Sequence, residues 1–277
     1  MIALNRVQAG FYDAIHDAEA NKGHGGYAGN RSANVFTRLW ADLRYRQQAA
    51  VREAGIEARM KEAHAQWIAG KHGGDYLELG CFSGSPSTFP LVAAAGRYTG
   101  IELSPRAVGE LNRKLAAQGL AGKARAIAGD FLAMGESEKF DLIYAHGVLH
   151  HFENPTPLFQ KLAAILKPDG VLLFVEPSAV NPVYRAIRRL YRPFQSDAAW
   201  EWPFRERTVT ELGKHFEVVE GFGWGRKSLL LSVLTGMPLV GGWVTRIYVR
   251  MVRAEMAAGW HSRVWNNSMV TAYCRRR

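Results

Sequence analysis

Three acidic residues follow short apolar runs of the chain: Glu78, Glu102 and Asp130. In a sheet of parallel strands joined by helices, side chains at the carboxyl ends of neighbouring strands face one crevice. A carboxylate at the end of the second strand is the group that accepts hydrogen bonds from ribose hydroxyls. The sequence therefore predicts a crevice that binds a ligand containing a nucleoside.

A glycine-containing loop follows the first of these acids, and it leads into a helix. Glycine lets the backbone approach a ligand closely. Counted from Gly80, the second and third glycines of the dinucleotide fingerprint are replaced by Phe82 and Ser85. Glu78 would also repel a pyrophosphate at short range. A dehydrogenase is therefore disfavoured, whereas the ammonium and sulfonium groups of S-adenosylmethionine suit a nearby carboxylate.

Three histidines follow the fourth apolar run: His146, His150 and His151. If S-adenosylmethionine is the ligand, the expected reaction is methyl transfer. That reaction requires alignment of the acceptor with the methyl group, and it needs a base only when the acceptor is protonated, as a hydroxyl is. The ordinary pKa of histidine suits that role. We predict His150 and His151 as candidate catalytic bases and His146 as a cofactor contact. A purely structural role for the pair is the alternative.

Short apolar runs alternate with helical stretches from about residue 75. Strands are predicted at residues 76–79, 98–101, 124–128, 141–145 and 171–175, with later strands at 216–219 and 269–275. Ser104 and Asn154 each precede a proline, which is typical of a helix start, and Thr208 to Glu211 has the spacing of a capping box. Such alternation predicts right-handed βαβ units and a doubly wound α/β sheet.

The order of these motifs resembles that of class I S-adenosylmethionine-dependent methyltransferases, in particular the small-molecule types 11 and 12. The resemblance covers about residues 74–177. It is carried by Glu78 to Gly84, Glu102, Gly129 to Phe131, Phe140 to Phe152 and Leu166 to Gly170.

The resemblance implies a Rossmann-like sheet of about seven strands with the last one antiparallel, and S-adenosylmethionine as cofactor. We predict no metal site. The implied cofactor contacts are Glu78, Gly80, Cys81, Phe82, Gly84, Glu102, Leu103, Asp130, Phe131 and His146. The loop around Gly80 would lie along the methionine, Glu102 would hold the ribose, and Asp130 with Phe131 would flank the adenine. Phe82 departs from the family pattern, which usually has a glycine there.

Three regions are expected along the chain: a helical N-terminal lid or cap over residues 1–70, the cofactor-binding α/β core over 71–177, and substrate cap elements with the final strands over 178–277. Apolar stripes predict two amphipathic helices within residues 32–70. A glycine-rich stretch at 23–31 is either a lid or an ordinary surface loop.

Aromatic residues cluster after the fifth strand, and a carboxylate lies among them. The candidate substrate contacts are Tyr27, Trp200, Glu201 and Trp202. An aromatic wall with one carboxylate could hold an apolar or a cationic acceptor. It could equally form the core of a small cap.

The basic charge is concentrated in the C-terminal third. The whole chain has net charge +10, and residues 178–277 contain 16 Lys and Arg against 7 Asp and Glu. That surface could face phosphate, an anionic membrane or solvent. Residues 228–244 are uncharged and apolar but contain helix breakers, which favours an interfacial or core helix pair over a membrane span.

We therefore expect an enzyme that methylates a small molecule, with lipid-linked, polyketide-like and glycan-type acceptors all open. A nucleic-acid methyltransferase and a non-catalytic cofactor-binding protein are the alternatives, although the N/D-P-P-Y signature for base amino groups is absent after strand four. Cys81 and Cys274 are too isolated for a disulfide framework or zinc site. With no apolar signal segment near the N-terminus, we expect a cytoplasmic protein, and peripheral membrane association stays open.

Overall fold

The computed structural model describes residues 2–22, 47–192, 197–232, 234–237 and 241–277. Two predictions fall outside these ranges: the candidate substrate residue Tyr27 with its glycine-rich stretch, and the first amphipathic helix, whose stripe begins at Phe36. They stay predictions.

Seven strands form one sheet in the order β3-β2-β1-β4-β5-β7-β6. The strands are β1 Asp75–Leu79, β2 Arg97–Glu102, β3 Ala124–Ala128, β4 Phe140–His146, β5 Leu166–Pro177, β6 Phe216–Trp224 and β7 Met269–Arg276. The first five pair in parallel, and β7 lies antiparallel between β5 and β6. This arrangement confirms the predicted doubly wound, Rossmann-like sheet with an antiparallel last strand.

Helices cover both faces of the sheet. They are α1 Ile2–Lys22, α2 at residues 47–54, α3 Ile56–Ile68, α4 Thr88–Ala94, α5 Pro105–Ala117, α6 Pro155–Ile165, α7 Pro182–Tyr191, α8 Glu206–His215, α9 Leu229–Ser232 and α10 Gly241–Ala257. Side chains of α4 and α5 pack in the core on one face, and those of α6 and α8 pack on the other. A third core joins α2 and α3 to α10 and β6.

No helix in the described ranges is long and apolar enough to cross a membrane. The apolar stretch at 228–244 contributes instead to the short helix α9 and to the start of α10. Both cysteines are buried and free.

Two of the three predicted helix starts are confirmed. The Ser104 hydroxyl accepts a hydrogen bond from an N–H of the first turn of α5, and the Asn154 side chain does the same for α6. The capping box at Thr208 is wrong, because α8 begins at Glu206 and places Thr208 inside the helix. Backbone hydrogen bonds of Phe204 to Pro177 and Ala179 keep the chain extended up to this point, so the helix starts directly afterwards.

A substitution at Gly100 in β2 would test how tightly side chains pack against the sheet beneath the crevice. A Cβ atom at this position would lie 2.7 Å from the Sγ of Cys81 and 3.0 Å from the hydroxyl of Tyr98. We expect Gly100→Ala to lower the free energy of unfolding by about 1–3 kcal/mol, because a packed core resists an added methyl group. Urea denaturation followed by circular dichroism measures the change.

Gly109 in α5 is the matched control, since a Cβ atom there meets nothing within 4 Å. Gly109→Ala should raise the free energy of unfolding by about 0.5–1 kcal/mol through helix propensity. Equal effects of the two substitutions would contradict this description of the packing.

Candidate active site at the carboxyl edge of the sheet

The loop after β1 turns sharply at three positions. Gly80, Phe82 and Gly84 have φ angles of 76°, 46° and 100°. Among the described residues, Phe82 is the one residue other than glycine with positive φ, a conformation that normally favours glycine. The backbone thus keeps the shape of a glycine loop although Phe82 replaces the usual glycine. A side chain at Gly80 would meet Val148 at 3.0 Å, so that position must stay small.

Glu78 holds this loop from below. Its carboxyl group accepts hydrogen bonds from the hydroxyls of Tyr98 at 2.6 Å and of Ser85 and Thr88 at 3.1 Å each. The side chain is only 2% exposed, and burial raises the pKa of Glu78 to about 7 despite these three donors. The carboxyl group therefore anchors the loop, and its predicted contact with a cofactor stays a prediction.

Glu102 lies at the end of β2, next to the loop. One carboxylate oxygen accepts the N–H groups of Leu103 and Ser104, and the other accepts the N–H of Phe82 at 3.2 Å. Burial raises the pKa of this carboxyl group, while the three N–H donors oppose the shift. Glu102 thus ties the loop to the second strand.

Asp130 follows β3 and is half-buried. Its carboxylate accepts the N–H of Leu132 at 2.9 Å and caps a short 3₁₀ turn. The Phe131 ring is 3% exposed and packs edge-on against Phe152 within the core. The structure therefore brings Asp130 to the same sheet edge as Glu102, and the adenine contacts of Asp130 and Phe131 stay predictions.

Two other predicted cofactor contacts are now placed. Cys81 is fully buried and packs toward Gly100, so its side chain lies beneath the loop. His146 ends β4 at the crevice edge with an exposed ring, which lies edge-on to Tyr144.

Glu176, at the end of β5, organises the segment that contains two of the histidines. Its carboxylate accepts the N–H groups of Val148 at 2.9 Å and Leu149 at 2.7 Å, and it lies 2.7 Å from Nδ1 of His150. Burial lowers the pKa of His150 to about 3 and raises that of Glu176 to about 7. The N–H groups of Leu149 and Val148 favour the charged carboxylate, and a neutral His150 ring then donates its Nδ1–H to it. Sequence reasoning missed Glu176, since nothing in the strand pattern singles it out.

His151 has a defined tautomer. Its Nδ1 lies 2.8 Å from the carbonyl oxygen of Trp200, which can only accept, so Nδ1 carries the proton. Its Nε2 then presents a lone pair to the hydroxyl of Tyr12 at 3.2 Å. Burial and the neighbouring His150 lower the pKa of His151 to about 4. The ring is therefore neutral near pH 7 and can accept a proton from a hydroxyl.

Helix α1 lies across this edge. Asp13 accepts the hydroxyl of Ser104, and His16 bonds Glu110 of α5 at 2.6 Å while its ring faces Phe82 edge-on. Tyr12, Asp13 and His16 were not singled out from the sequence. Their spacing of one helical turn was the available signal, but it does not say which surface the helix covers.

Residues 77–172 match the sequence model of the methyltransferase domain family. The chain contains a methyltransferase domain. This match confirms the predicted class I family and S-adenosylmethionine as the cofactor of such a domain.

Curated relatives resemble only part of the chain. A sterol 24-C-methyltransferase of Gibberella zeae is 27% identical over 145 residues, which are 51% of this chain and 38% of that protein. A ubiquinone biosynthesis O-methyltransferase of Actinobacillus pleuropneumoniae is 29% identical over 121 residues, 42% of this chain and 50% of that protein. The chain thus spans half or less of these relatives, and their names differ in the atom that is methylated.

The fold extends beyond the matched segment. A crystal structure of a putative sarcosine dimethylglycine methyltransferase from Galdieria sulphuraria aligns with a TM-score of 0.55 and 16% identity, covering 81% of this chain and 87% of that one. This likeness shows a shared fold.

The methyltransferase domain has groups that fit S-adenosylmethionine. The backbone of the loop at Gly80 to Gly84 is turned as a glycine loop would be, and the acceptor-rich carboxylates of Glu102 and Asp130 end neighbouring strands. When bound, the cofactor supplies a methyl group on a positively charged sulfur. Within the described residues, no group of three or more His, Cys, Asp or Glu side chains could hold a metal ion.

An aromatic wall faces His151. Trp200 is 6% exposed and packs edge-on against Phe11 of α1. Its buried indole N–H lies near the Tyr12 hydroxyl but makes no hydrogen bond of normal geometry to a described residue. Trp202 donates its backbone N–H to the carbonyl of His150. The wall and the two histidines are therefore connected through the backbone.

Glu201, predicted as the carboxylate of this wall, pairs with Arg188 of α7. Both side chains are nearly buried, with 13% and 12% exposed. A carboxylate engaged in this way is poorly placed to receive a cationic acceptor as well. The predicted substrate contacts at Trp200, Glu201 and Trp202 stay predictions.

The raised pKa of Glu78 gives a testable pH dependence. Between its unfolded value of 4.5 and about 7, the folded protein binds more protons than the unfolded one, so rising pH destabilises the fold through this group. Relative to Glu78→Gln, the wild type should lose up to about 3 kcal/mol of unfolding free energy between pH 4 and pH 8. Urea titrations at both pH values measure the difference.

Glu57→Gln is the control, because that side chain is 68% exposed in α3. The change with pH in the Glu78→Gln difference should exceed that in the Glu57→Gln difference over the same range. A pH-independent difference for Glu78→Gln would show that its carboxyl group ionises normally in the folded protein.

Proposed function

We propose that this protein transfers the methyl group of S-adenosylmethionine to a hydroxyl oxygen of an apolar small molecule. One observation carries the proposal: the neutral His151 ring, with its Nδ1–H held by the Trp200 carbonyl, presents Nε2 to a hydroxyl. A hydroxyl acceptor needs a base, whereas many other acceptors do not. The Tyr12 hydroxyl occupies the position in which an acceptor hydroxyl would bind.

His151 acts as the base in this proposal. Its Nε2 takes the acceptor proton while the acceptor oxygen bonds the methyl carbon and the bond from that carbon to sulfur breaks. Its low pKa makes it a weak base at rest. During transfer the site loses the positive charge on sulfur as the ring gains one, so the total charge is unchanged and protonation costs less. The Trp200 carbonyl stabilises the protonated ring.

His150 has a positioning role in this scheme. Its ring centroid lies 4.1 Å from that of His151, and Glu176 fixes its orientation through Nδ1. At 7% exposure it is largely closed to an acceptor. Of the two predicted bases, we therefore assign the proton transfer to His151.

The surroundings favour an apolar acceptor over a cationic one. Phe11, Tyr12 and Trp200 supply aromatic surface next to the base, and the carboxylate of Glu201 is already paired with Arg188. The names of the two curated relatives refer to a sterol and to ubiquinone biosynthesis. We therefore propose lipid-linked or polyketide-like acceptors ahead of glycans, which need more hydrogen-bonding groups than this wall offers.

The first experiment supplies radiolabelled S-adenosylmethionine with a panel of apolar phenols and the corresponding aromatic amines. We expect transfer to the phenols. His151→Asn removes the basic nitrogen, and the single-turnover rate should fall about 10²- to 10⁴-fold, with unchanged cofactor affinity by calorimetry. His72→Asn, at an exposed histidine just before β1, should leave the rate unchanged.

Several results would reject the proposal. Transfer to amines alone, or an unchanged rate in His151→Asn, would exclude His151 as the base for a hydroxyl. Cofactor binding without transfer to any acceptor would indicate a cofactor-binding protein instead. Because the His151 pKa is lowered to about 4, its titration should leave the wild-type rate flat from pH 6 to pH 8.

A further inference from the structure

A patch of exposed apolar side chains lies on the elements that follow β6. Leu230 of α9 is 61% exposed, Leu234 36%, Met237 46% and Trp243 of α10 67%. The residues belong to neighbouring pieces of structure, because the turn at Leu234–Gly236 packs against both α9 and α10. We call these four side chains the apolar patch.

Basic side chains border the apolar patch. Arg226 and Lys227 precede α9, and Arg246 and Arg250 follow Trp243 at spacings of three and seven residues. Those spacings place Trp243 and the two arginines on one face of α10, and all three are exposed. The opposite face, with Val249 and Val252 among others, is buried in the third core.

Acidic side chains are absent from this stretch. Residues 221–254 contain five Lys or Arg and no Asp or Glu. The acid that follows, Glu255, is directed inward, where its carboxylate accepts N–H groups of Gly225, Lys227 and Ser228 and the Ser228 hydroxyl. Glu255 thus fixes the start of the patch against α10 and leaves the cations unopposed by a neighbouring acid in the sequence.

The patch begins at the same edge of the sheet as the candidate active site. Because β7 is antiparallel to both neighbours, β6 runs parallel to β5, and Met269 of β7 pairs with both Pro177 and Trp224. Two strand spacings separate Pro177 from Trp224, which is about 10 Å. Glu176, which orients His150, directly precedes Pro177. The chain therefore leaves β6 close to the histidines.

We propose that the apolar patch and its basic border dock this protein on an anionic lipid bilayer. Trp243 and the leucines would enter the interfacial region, while Arg246 and Arg250 would lie at the level of the lipid phosphates. Docking does not depend on the proposed O-methylation. If both hold, the same edge of the sheet would face the membrane and take its acceptor from there.

Two other occupants fit this surface less well. A second copy of the chain in a two-fold dimer would bring Arg246 and Arg250 against the same cations of its partner. A nucleic acid would satisfy the cations, but the apolar side chains would face a polar phosphate backbone. An anionic bilayer satisfies both parts of the surface.

The test is sedimentation with vesicles of phosphatidylcholine alone or with about one third phosphatidylglycerol, at low salt. We expect the wild type to bind the anionic vesicles. Each basic residue near such a surface contributes about 1 kcal/mol, so the double variant Arg246→Glu/Arg250→Glu should bind at least about 30-fold more weakly.

The matched control, Arg113→Glu/Arg125→Glu, makes the same change in net charge on exposed residues of α5 and β3, at the opposite end of the sheet. It should change vesicle binding less than about threefold. Equal weakening by the two double variants would mean attraction by the overall charge, and would overturn the proposal.

Insertion is measured separately through tryptophan fluorescence with brominated lipids. Wild-type fluorescence should be quenched on anionic vesicles, and Trp243→Phe should keep binding while losing most of that quenching. Unchanged quenching in Trp243→Phe would overturn the proposal. So would a wild-type dimer that Trp243→Ala dissociates, or RNA binding lost in Arg246→Glu/Arg250→Glu without any vesicle binding.

Failure of docking and failure of methyl transfer are distinguishable. All of these variants lie outside the proposed catalytic groups, so their cofactor affinity and their single-turnover transfer to a water-soluble phenol should match the wild type. Thermal unfolding by circular dichroism confirms that each variant is folded.

Discussion

A buried carboxylate must be surrounded by donors, and at Glu176 this requirement shapes the site. The side chain has no exposed surface, so its oxygens can be satisfied only by protein groups. The chain after β4 supplies them by turning its N–H groups inward at Val148 and Leu149 and by placing His150 alongside. The position of this segment also determines where the ring of the next residue, His151, lies.

The same principle recurs at three other acids. Glu78 accepts hydroxyls that hold the loop after β1, Glu102 joins that loop to β2, and Glu255 closes the turn that leads to α9. Glu102 and Glu255 are surrounded mainly by backbone N–H groups, whereas the donors to Glu78 are side-chain hydroxyls. The carboxyl edge of the sheet is therefore ordered by polar contacts, while the apolar cores on its two faces position the strands.

The sequence predicts the sheet and its acidic edge well because both depend on local patterns. Alternating apolar runs and helices indicate parallel strands, and parallel strands place Glu78, Glu102 and Asp130 at one edge. Local patterns do not predict which residues contact Glu176 and His151. Tyr12 approaches His151 across 139 positions, and only the packing of α1 brings them together.

Local patterns also mislead where tertiary contacts intervene. The capping-box spacing at Thr208 is real, yet the bonds of Phe204 to the end of β5 move the helix start to Glu206. From the sequence, Glu201 is predicted to be a carboxylate available among tryptophans. In the structure it forms an ion pair with Arg188 of α7. The shifted helix start and the pairing of Glu201 both arise in the segment that connects β5 to α8, which runs back past the end of β5.

The position of β7 has a consequence for biosynthesis. Strand β6 joins the sheet only through β7, which is translated some 45 residues later. Until the ribosome has passed residue 276, β6 has no partner in the sheet, and the edge of β5 that β7 will cover is open. Late in synthesis the nascent chain thus carries unpaired edges on both β5 and β6, which can pair with other chains and aggregate.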